Sequence, residues 1–390
     1  MLMALVEYPD AAATPVAWWP RRAGDPRATR AWASAIRWRG DGVSFAGLAP
    51  DGPFAALRRG PTVGGWSRMN AVEVCGGTFR GARPPQQPLA AARAHRPRQL
   101  VAAAAGYACP VLAGTGAPEP EAAATLIADL RQQAEDESAS FAVLHLPLGS
   151  PLVPTLAAAG FTVGGTDLYP FLEVEAADPA EVIARAPYHR RQRMRREVRA
   201  FERAGGRLVI LAGRAARPFL PVVAELEARA AAQRGEPLTS QMAAEVNDRI
   251  FDEFGSAAMA VLVRNRANAA VACAVMVSAG GCVLLRTVGA DPPRARPLGG
   301  YFQASFYAAL SVACAIGARL VLLGPGSLQP KLLRGAQLAL TVSAAPRTNH
   351  ALCELLRHTD AAVRAQADRL AGEFGITLRQ EAGWLRREAG

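Results

Sequence analysis

Lysine is almost missing from this chain. Lys331 is the single lysine among its 44 basic residues; the rest are arginine. Where any positive charge suffices, this sequence uses arginine. A lysine in such a background marks a place that asks for a compact ammonium, with three donors and a pKa that burial can lower. Cysteine is sparse and unpatterned. Cys75, Cys109, Cys273, Cys282, Cys314 and Cys353 form no C-x-x-C pair, and several lie inside apolar runs. They read as buried free thiols of a reducing compartment. None of the histidines (95, 145, 189, 350, 358) pairs with a cysteine at ligand spacing, so no metal site is expected. Long apolar runs are lacking too. Ala308–Ile316 is far too short to cross a bilayer. The opening MLMALVEYPD has no basic stretch ahead of an apolar core. The expectation is a cytoplasmic protein with no membrane segment. Also absent are G-x-x-x-x-G-K-[ST], G-x-S-x-G, H-E-x-x-H and G-x-G-x-x-G, which removes the usual signatures of nucleotide hydrolysis, serine esterases, zinc proteases and dinucleotide binding.

What is present is apolar and basic. The chain has 390 residues, 51% of them hydrophobic, enough for two domains with substantial cores. A net charge of +11 favours a polyanionic partner or substrate.

Residues 1–95 carry no readable pattern; Trp18, Trp19, Trp32 and Trp38 lie among Arg, Pro and Gly, and 84–88 reads as a loop or linker. Alternating elements begin near Arg98. Strands are expected at 100–105, 141–146 and 171–174, with helices at 118–135 and 151–159 between them. Tyr107 falls where a strand gives way to a bend and is a candidate for lining a substrate pocket. The spacing next predicts a helix over 187–204 that carries Arg190, Arg191, Arg193, Arg195, Arg196, Arg199 and Arg203. Met194, Val198 and Phe201 form its narrow apolar stripe. Its charged surface suits phosphate contacts, as in tRNA binding. No heptad repeat follows, so a DNA zipper is not expected. Two helices are expected within 218–254, the second with Met242, Val246, Ile250 and Phe254 buried. An antiparallel meander is expected at 258–263, 269–277 and 282–288, and a late strand and helix at 338–343 and 348–372.

Residues 282–335 organise the rest. A strand leads into a basic glycine loop (289–300), then a helix over 301–316 stopped by Gly317, a strand over 319–323 and a short helix. Gly299 and Gly300 allow close backbone approach at a helix start, where free N–H groups and the helix dipole favour an anion. Arg294 and Arg296 add charge to that loop.

Gly299-Gly300-Tyr301-Phe302, Phe306-Tyr307, and Gly324 followed by Lys331 and Arg334-Gly335 resemble the C-terminal lobe of the GNAT acyltransferases, in their two-lobed FemAB-like branch. The run Arg190–Arg196 opens that lobe in many relatives. The resemblance spans about residues 95 to 345. It implies an α/β (α+β) fold of two tandem GNAT-like lobes, 1–177 and 178–390, each a mixed, largely antiparallel sheet flanked by helices. It implies transfer of an acyl group to an amine or hydroxylamine of a small molecule or precursor, forming an amide or ester, with no bound cofactor. The motif Arg296-Pro297-Leu298-Gly299-Gly300-Tyr301 ends in Tyr where the acetyl-CoA loop ends in Gly or Ala. Together with the basic helix, this favours an aminoacyl-tRNA donor over acyl-CoA. On that reading Lys331, Tyr301 and Tyr307 are the candidate catalytic residues. Arg286, Arg294, Arg296, Gly299, Gly300 and Arg334 bind the donor, and Arg190, Arg191, Arg193, Arg195 and Arg196 bind tRNA. An acyl-CoA enzyme and a non-catalytic nucleic-acid-binding protein are the alternatives. The pattern does not give the oligomeric state.

Overall fold

The structure is a computed structural model, and it describes residues 6–8, 43–47, 54–61, 71–75, 85–95, 98–102, 111–112, 119–150, 152–236, 238–376 and 378–379. Tyr107 and the early tryptophans lie outside the described residues. The chain divides into two compact units. One holds the described residues up to Leu168 together with Leu338 onward, and the other runs Tyr169–Gln337. The boundary therefore differs from the one expected at 177/178. Residues 338–390 join the first unit, because β13 (Gln337–Pro346) pairs antiparallel with β6 (Ala139–Pro147), Thr341 lying opposite Pro147.

The first unit is built on a sheet in the order β1 (Val6–Tyr8), β2 (Val43–Gly47), β3 (Phe54–Pro61), β4 (Arg98–Ala102), β6, β13, then β7 (Phe161–Glu173). Period-two alternation gives β4 and β6 two buried faces. Leu100, Ala102, Phe141 and Val143 pack with Leu126, Ile127 and Leu130 of the helix Pro120–Asp136. Val101, Ala142 and Leu144 face the other way, towards Val72, Leu352, Leu355 and Leu356. The stretch expected as a linker at 84–88 instead runs into the helix Gln86–His95. Pro88 is tolerated because it sits in the first turn, where no intrahelical N–H is required.

The second unit orders its strands as the end of β7, β12 (Leu320–Leu322), β11 (Cys282–Ala290), β10 (Ala270–Ala279), β9 (Ala258–Arg264) and β8 (Arg207–Ala212). All neighbours are antiparallel except β11 and β12, which run parallel. The expected meander is thus present. Four helices matter for the site: α1 (Tyr188–Arg203), α2 (Leu220–Gln233), α3 (Ser240–Phe254) and α4 (Ala308–Ile316). Thr239 caps α3 by accepting from the Met242 N–H. The buried face of α3 is turned one residue from expectation: Ala243, Asn247, Ile250 and Phe251 are buried, and Met242 is exposed. Among the described residues, no helix is long and apolar enough to cross a membrane.

Candidate active site

The site lies within the second unit, where the parallel pair β11–β12 comes apart. The two strands pair over three positions only, ending at Leu284 opposite Leu322. β11 continues past that point, and Arg286, Thr287 and Val288 are the partly exposed residues of an otherwise buried strand. A β-bulge occurs at the same place. Met276 pairs with Leu285 but Val275 pairs with Thr287, so Arg286 is an extra residue.

The bulge decides which face Arg286 uses. Gly289 faces α2: a Cβ there would lie 2.5 Å from the Glu227 nitrogen. Alternation puts Thr287 on that face and would put Arg286 on the other. The extra residue returns Arg286 to the α2 side. There its Nη1 donates to both Glu227 carboxylate oxygens (3.4 and 3.2 Å) and to Asn247 Oδ1 of α3 (3.0 Å). Glu227 is 1% exposed, and burial raises its pKa against the lowering effect of Arg286. Cys273 faces the same helix through the Val223 carbonyl, and burial and the nearby Glu227 push its thiol pKa up.

The glycine loop occupies the opposite face. A Cβ on Gly300 would come within 3.4 Å of Ala272 Cβ, and Ala272 pairs with Ala290, whose side chain alternates away from Gly289. The stretch expected as plain loop is two short helical turns, Pro292–Ala295 and Arg296–Leu298, each with a proline in its first turn. Gly299 then takes the left-handed conformation (φ 60°) that glycine tolerates. The loop is tied down at its start: Asp291 pairs with Arg229 at 3.0 Å and with Arg294 at 3.8 Å. Arg294 and Arg296 are exposed.

The helix that follows is not uniform. A turn of α-helix (Gly300–Phe302) gives way to a π-helical turn, Gln303–Tyr307, before α4. The Ser305 hydroxyl donates to the Tyr301 carbonyl at 2.7 Å. Single π turns of this kind recur at functional sites. Tyr301 hydrogen-bonds Ser327, and burial raises its pKa.

Lys331 and Arg334 hold this region together. Lys331 is 4% exposed. Its ammonium donates to the carbonyls of Leu323 (2.8 Å), Gly324 (2.8 Å) and Gly326, closing the turn after β12. Arg334 grips Glu197 of α1 with two bonds of 2.9 Å and the Pro330 carbonyl with a third of 2.6 Å. Its guanidinium lies 3.7 Å from the centre of the Phe302 ring. Tyr307 donates to the same Glu197 carboxylate at 2.7 Å. Burial and the carboxylate charge raise the Tyr307 pKa. Each of the three guanidinium nitrogens of Arg334 therefore donates to a protein oxygen.

The structure thus brings Tyr301, Tyr307, Lys331, Arg334, Gly299 and Gly300 into one neighbourhood and sets Arg286 across the sheet from the loop. The arginines of α1 separate as well. Arg195, Arg196, Arg199 and Arg203 are exposed, whereas Arg190, Arg191 and Arg193 are half-buried, and Arg191 donates to the Ala184 carbonyl at 3.0 Å. Sequence reasoning missed Glu197, Glu227 and Asn247. The last two left a signal, polar residues on the apolar stripe of an amphipathic helix. Among the described residues no group of three His, Cys, Asp or Glu is arranged to hold a metal.

No family model matches the sequence, and no curated protein matches it. Solved structures do. FemX superposes with a TM-score of 0.57 at 12% identity, covering 90% of this chain and 100% of that one. This chain has the fold of FemX. At that identity the likeness to FemX speaks for the fold alone, and it agrees with the expected mixed, largely antiparallel sheet flanked by helices. The C-terminal domain of a putative lysylphosphatidylglycerol synthetase from Agrobacterium fabrum aligns over 68% of this chain and 82% of its own (TM-score 0.48, 13% identity). L-PGS from Bacillus licheniformis aligns over 66% and 82% (TM-score 0.47, 12% identity).

Proposed function

We propose that this protein is an acyltransferase that moves an aminoacyl group from aminoacyl-tRNA to a small-molecule amine or hydroxylamine. The observation that carries the donor assignment is the outer face of α1. Arg195, Arg196, Arg199 and Arg203 stand exposed along one side of the helix, while Glu197 on its inner side is clamped by Arg334. A row of exposed guanidinium groups suits a phosphate backbone.

The chemistry is modest. The reacting ester needs its developing oxyanion met by donors, the amine must lose a proton, and positioning supplies much of the rate. On this reading the donor approaches β11 from the Gly299–Gly300 face and the acceptor from the α2 face. Arg294 and Arg296 hold donor phosphates. Tyr301 lines the acyl pocket. Lys331, Arg334 and Tyr307 are positioning residues that keep the loop, the π turn and α1 in register. Fold likeness and the basic helix support this reading. An acyl-CoA donor is the competing one, supported by the glycine loop at a helix start.

The test is equilibrium binding of mixed aminoacyl-tRNA and of acetyl-CoA at two salt concentrations. The expected result is saturable tRNA binding that weakens steeply with salt, and no acetyl-CoA binding. Changing Arg195, Arg196, Arg199 and Arg203 to Gln should flatten the salt slope by about 0.7–0.9 for each phosphate contact removed. Saturable acetyl-CoA binding, with tRNA binding unchanged in the Gln variant, would overturn the donor assignment.

A further inference from the structure

The guanidinium of Arg286 is only half used by the protein. Nη1 makes every bond to Glu227 and Asn247. Nε and Nη2 have no acceptor among the described residues. Those two nitrogens form the side of the fork that takes both oxygens of a carboxylate at once. The side chain is 16% exposed and its partner Glu227 1%, so the guanidinium borders a buried cluster and does not lie on an open surface. Its neighbours Thr287 and Val288 are partly exposed as well, and all three lie beyond the last residue that pairs with β12. A bulge, two buried helix residues and a partly open strand all serve to aim one arginine.

We propose that Arg286 binds a carboxylate of a small-molecule substrate through its Nε–Nη2 edge, with Glu227 and Asn247 as positioning residues. One positive charge, already shared with Glu227, suits a singly charged planar anion better than a doubly charged phosphate. Burial raises the Glu227 pKa, which eases the approach of a second anion to the same guanidinium. The carboxylate belongs to the acceptor, because Arg286 and the Gly299–Gly300 loop lie on opposite faces of the sheet. That last step alone rests on the acyl-transfer reading.

The test is calorimetric titration of the full chain, without any donor, using acetate, succinate, their amides and inorganic phosphate. Saturable succinate or acetate binding is expected, with the amides and phosphate at least about tenfold weaker. Arg286→Gln should lose about tenfold or more in carboxylate affinity while keeping its circular-dichroism spectrum. If that variant unfolds because Glu227 loses its partner, the double variant Arg286→Met with Glu227→Gln removes both charges and should show the same loss. Three results would overturn the proposal: no carboxylate binding by the wild-type chain, equal binding by wild type and a folded Arg286 variant, or a preference for phosphate. Failure of acyl transfer with carboxylate binding intact would sink the proposed function and leave the site standing.

Discussion

At the scale of single residues, the lone lysine shows how a composition signal and its use differ. Lys331 sits where three carbonyls converge, those of Leu323, Gly324 and Gly326, on a turn completed by Ser327 at φ 52°. A compact ammonium meets three acceptors at once, whereas a planar guanidinium directs its donors in one plane. Lys331→Met is expected to cost about 2–3 kcal/mol by leaving the buried Leu323 carbonyl and the part-buried Gly324 and Gly326 carbonyls without their donor. Lys331→Arg should fail to restore it, and thermal unfolding checks both. The need for lysine was legible; its partners were not, since backbone carbonyls leave no mark in a sequence. Tyr307 gives a pH test. Its folded-state pKa is raised by burial and by Glu197, so its contribution is present below the unfolded value of about 10 and is lost as pH rises beyond it. Stability should therefore fall through the alkaline range, and Tyr307→Phe should flatten that fall in melting curves taken between about pH 8 and 11.

At the scale of elements, the tightest contact in the site is between β11 and α2. A Cβ at Gly289 would lie 2.5 Å from Glu227 N and from Leu226 C, and 2.8 Å from Cys273 Sγ. Backbone atoms cannot step aside as a side-chain tip can. Gly289→Ala is expected to destabilise by about 2–3 kcal/mol as α2 is lifted from the sheet. Gly326→Ala, with nothing within 4 Å, should change stability little; denaturant midpoints separate the two. Elements with clean periodicity, such as the meander and the helix stopped by Gly317, were readable from sequence. The bulge at Arg286 and the π turn at Gln303–Tyr307 were not, because each is a one-residue slip set by packing against another element. The buried face of α3 was misplaced for a related reason. Asn247 was passed over as polar, yet it is buried to hold Arg286. A polar residue on an apolar stripe is a cue for a site, and treating it as noise rotates the helix.

At the scale of the molecule, the chain returns to its first unit at its end, and local pattern could not reveal that. The strand 337–346 and the helix His350–Phe374 were both readable, but their partners lie far away in sequence: Thr341 against Pro147, and the Thr359 hydroxyl on the Cys75 carbonyl at 2.7 Å. A boundary drawn from order along the chain therefore assigns them to the wrong unit. The consequence is testable by truncation after Gln337. The cut falls behind the last residue of the second unit, so under the tandem arrangement it would damage that unit. Under the observed arrangement it removes Val342 and Ala344 from one core of the first unit and Ala345, Leu352, Leu355 and Leu356 from the other. Six apolar side chains at about 1–3 kcal/mol each are comparable to the whole stability of an ordinary domain. Hydrogen exchange on residues 1–337 should then find amides of β4 and β6 exchanging freely while those of β9, β10 and β11 stay protected. Protection lost in the meander and kept around β4 and β6 would mean that the C-terminal strand and helix stabilise the second unit instead.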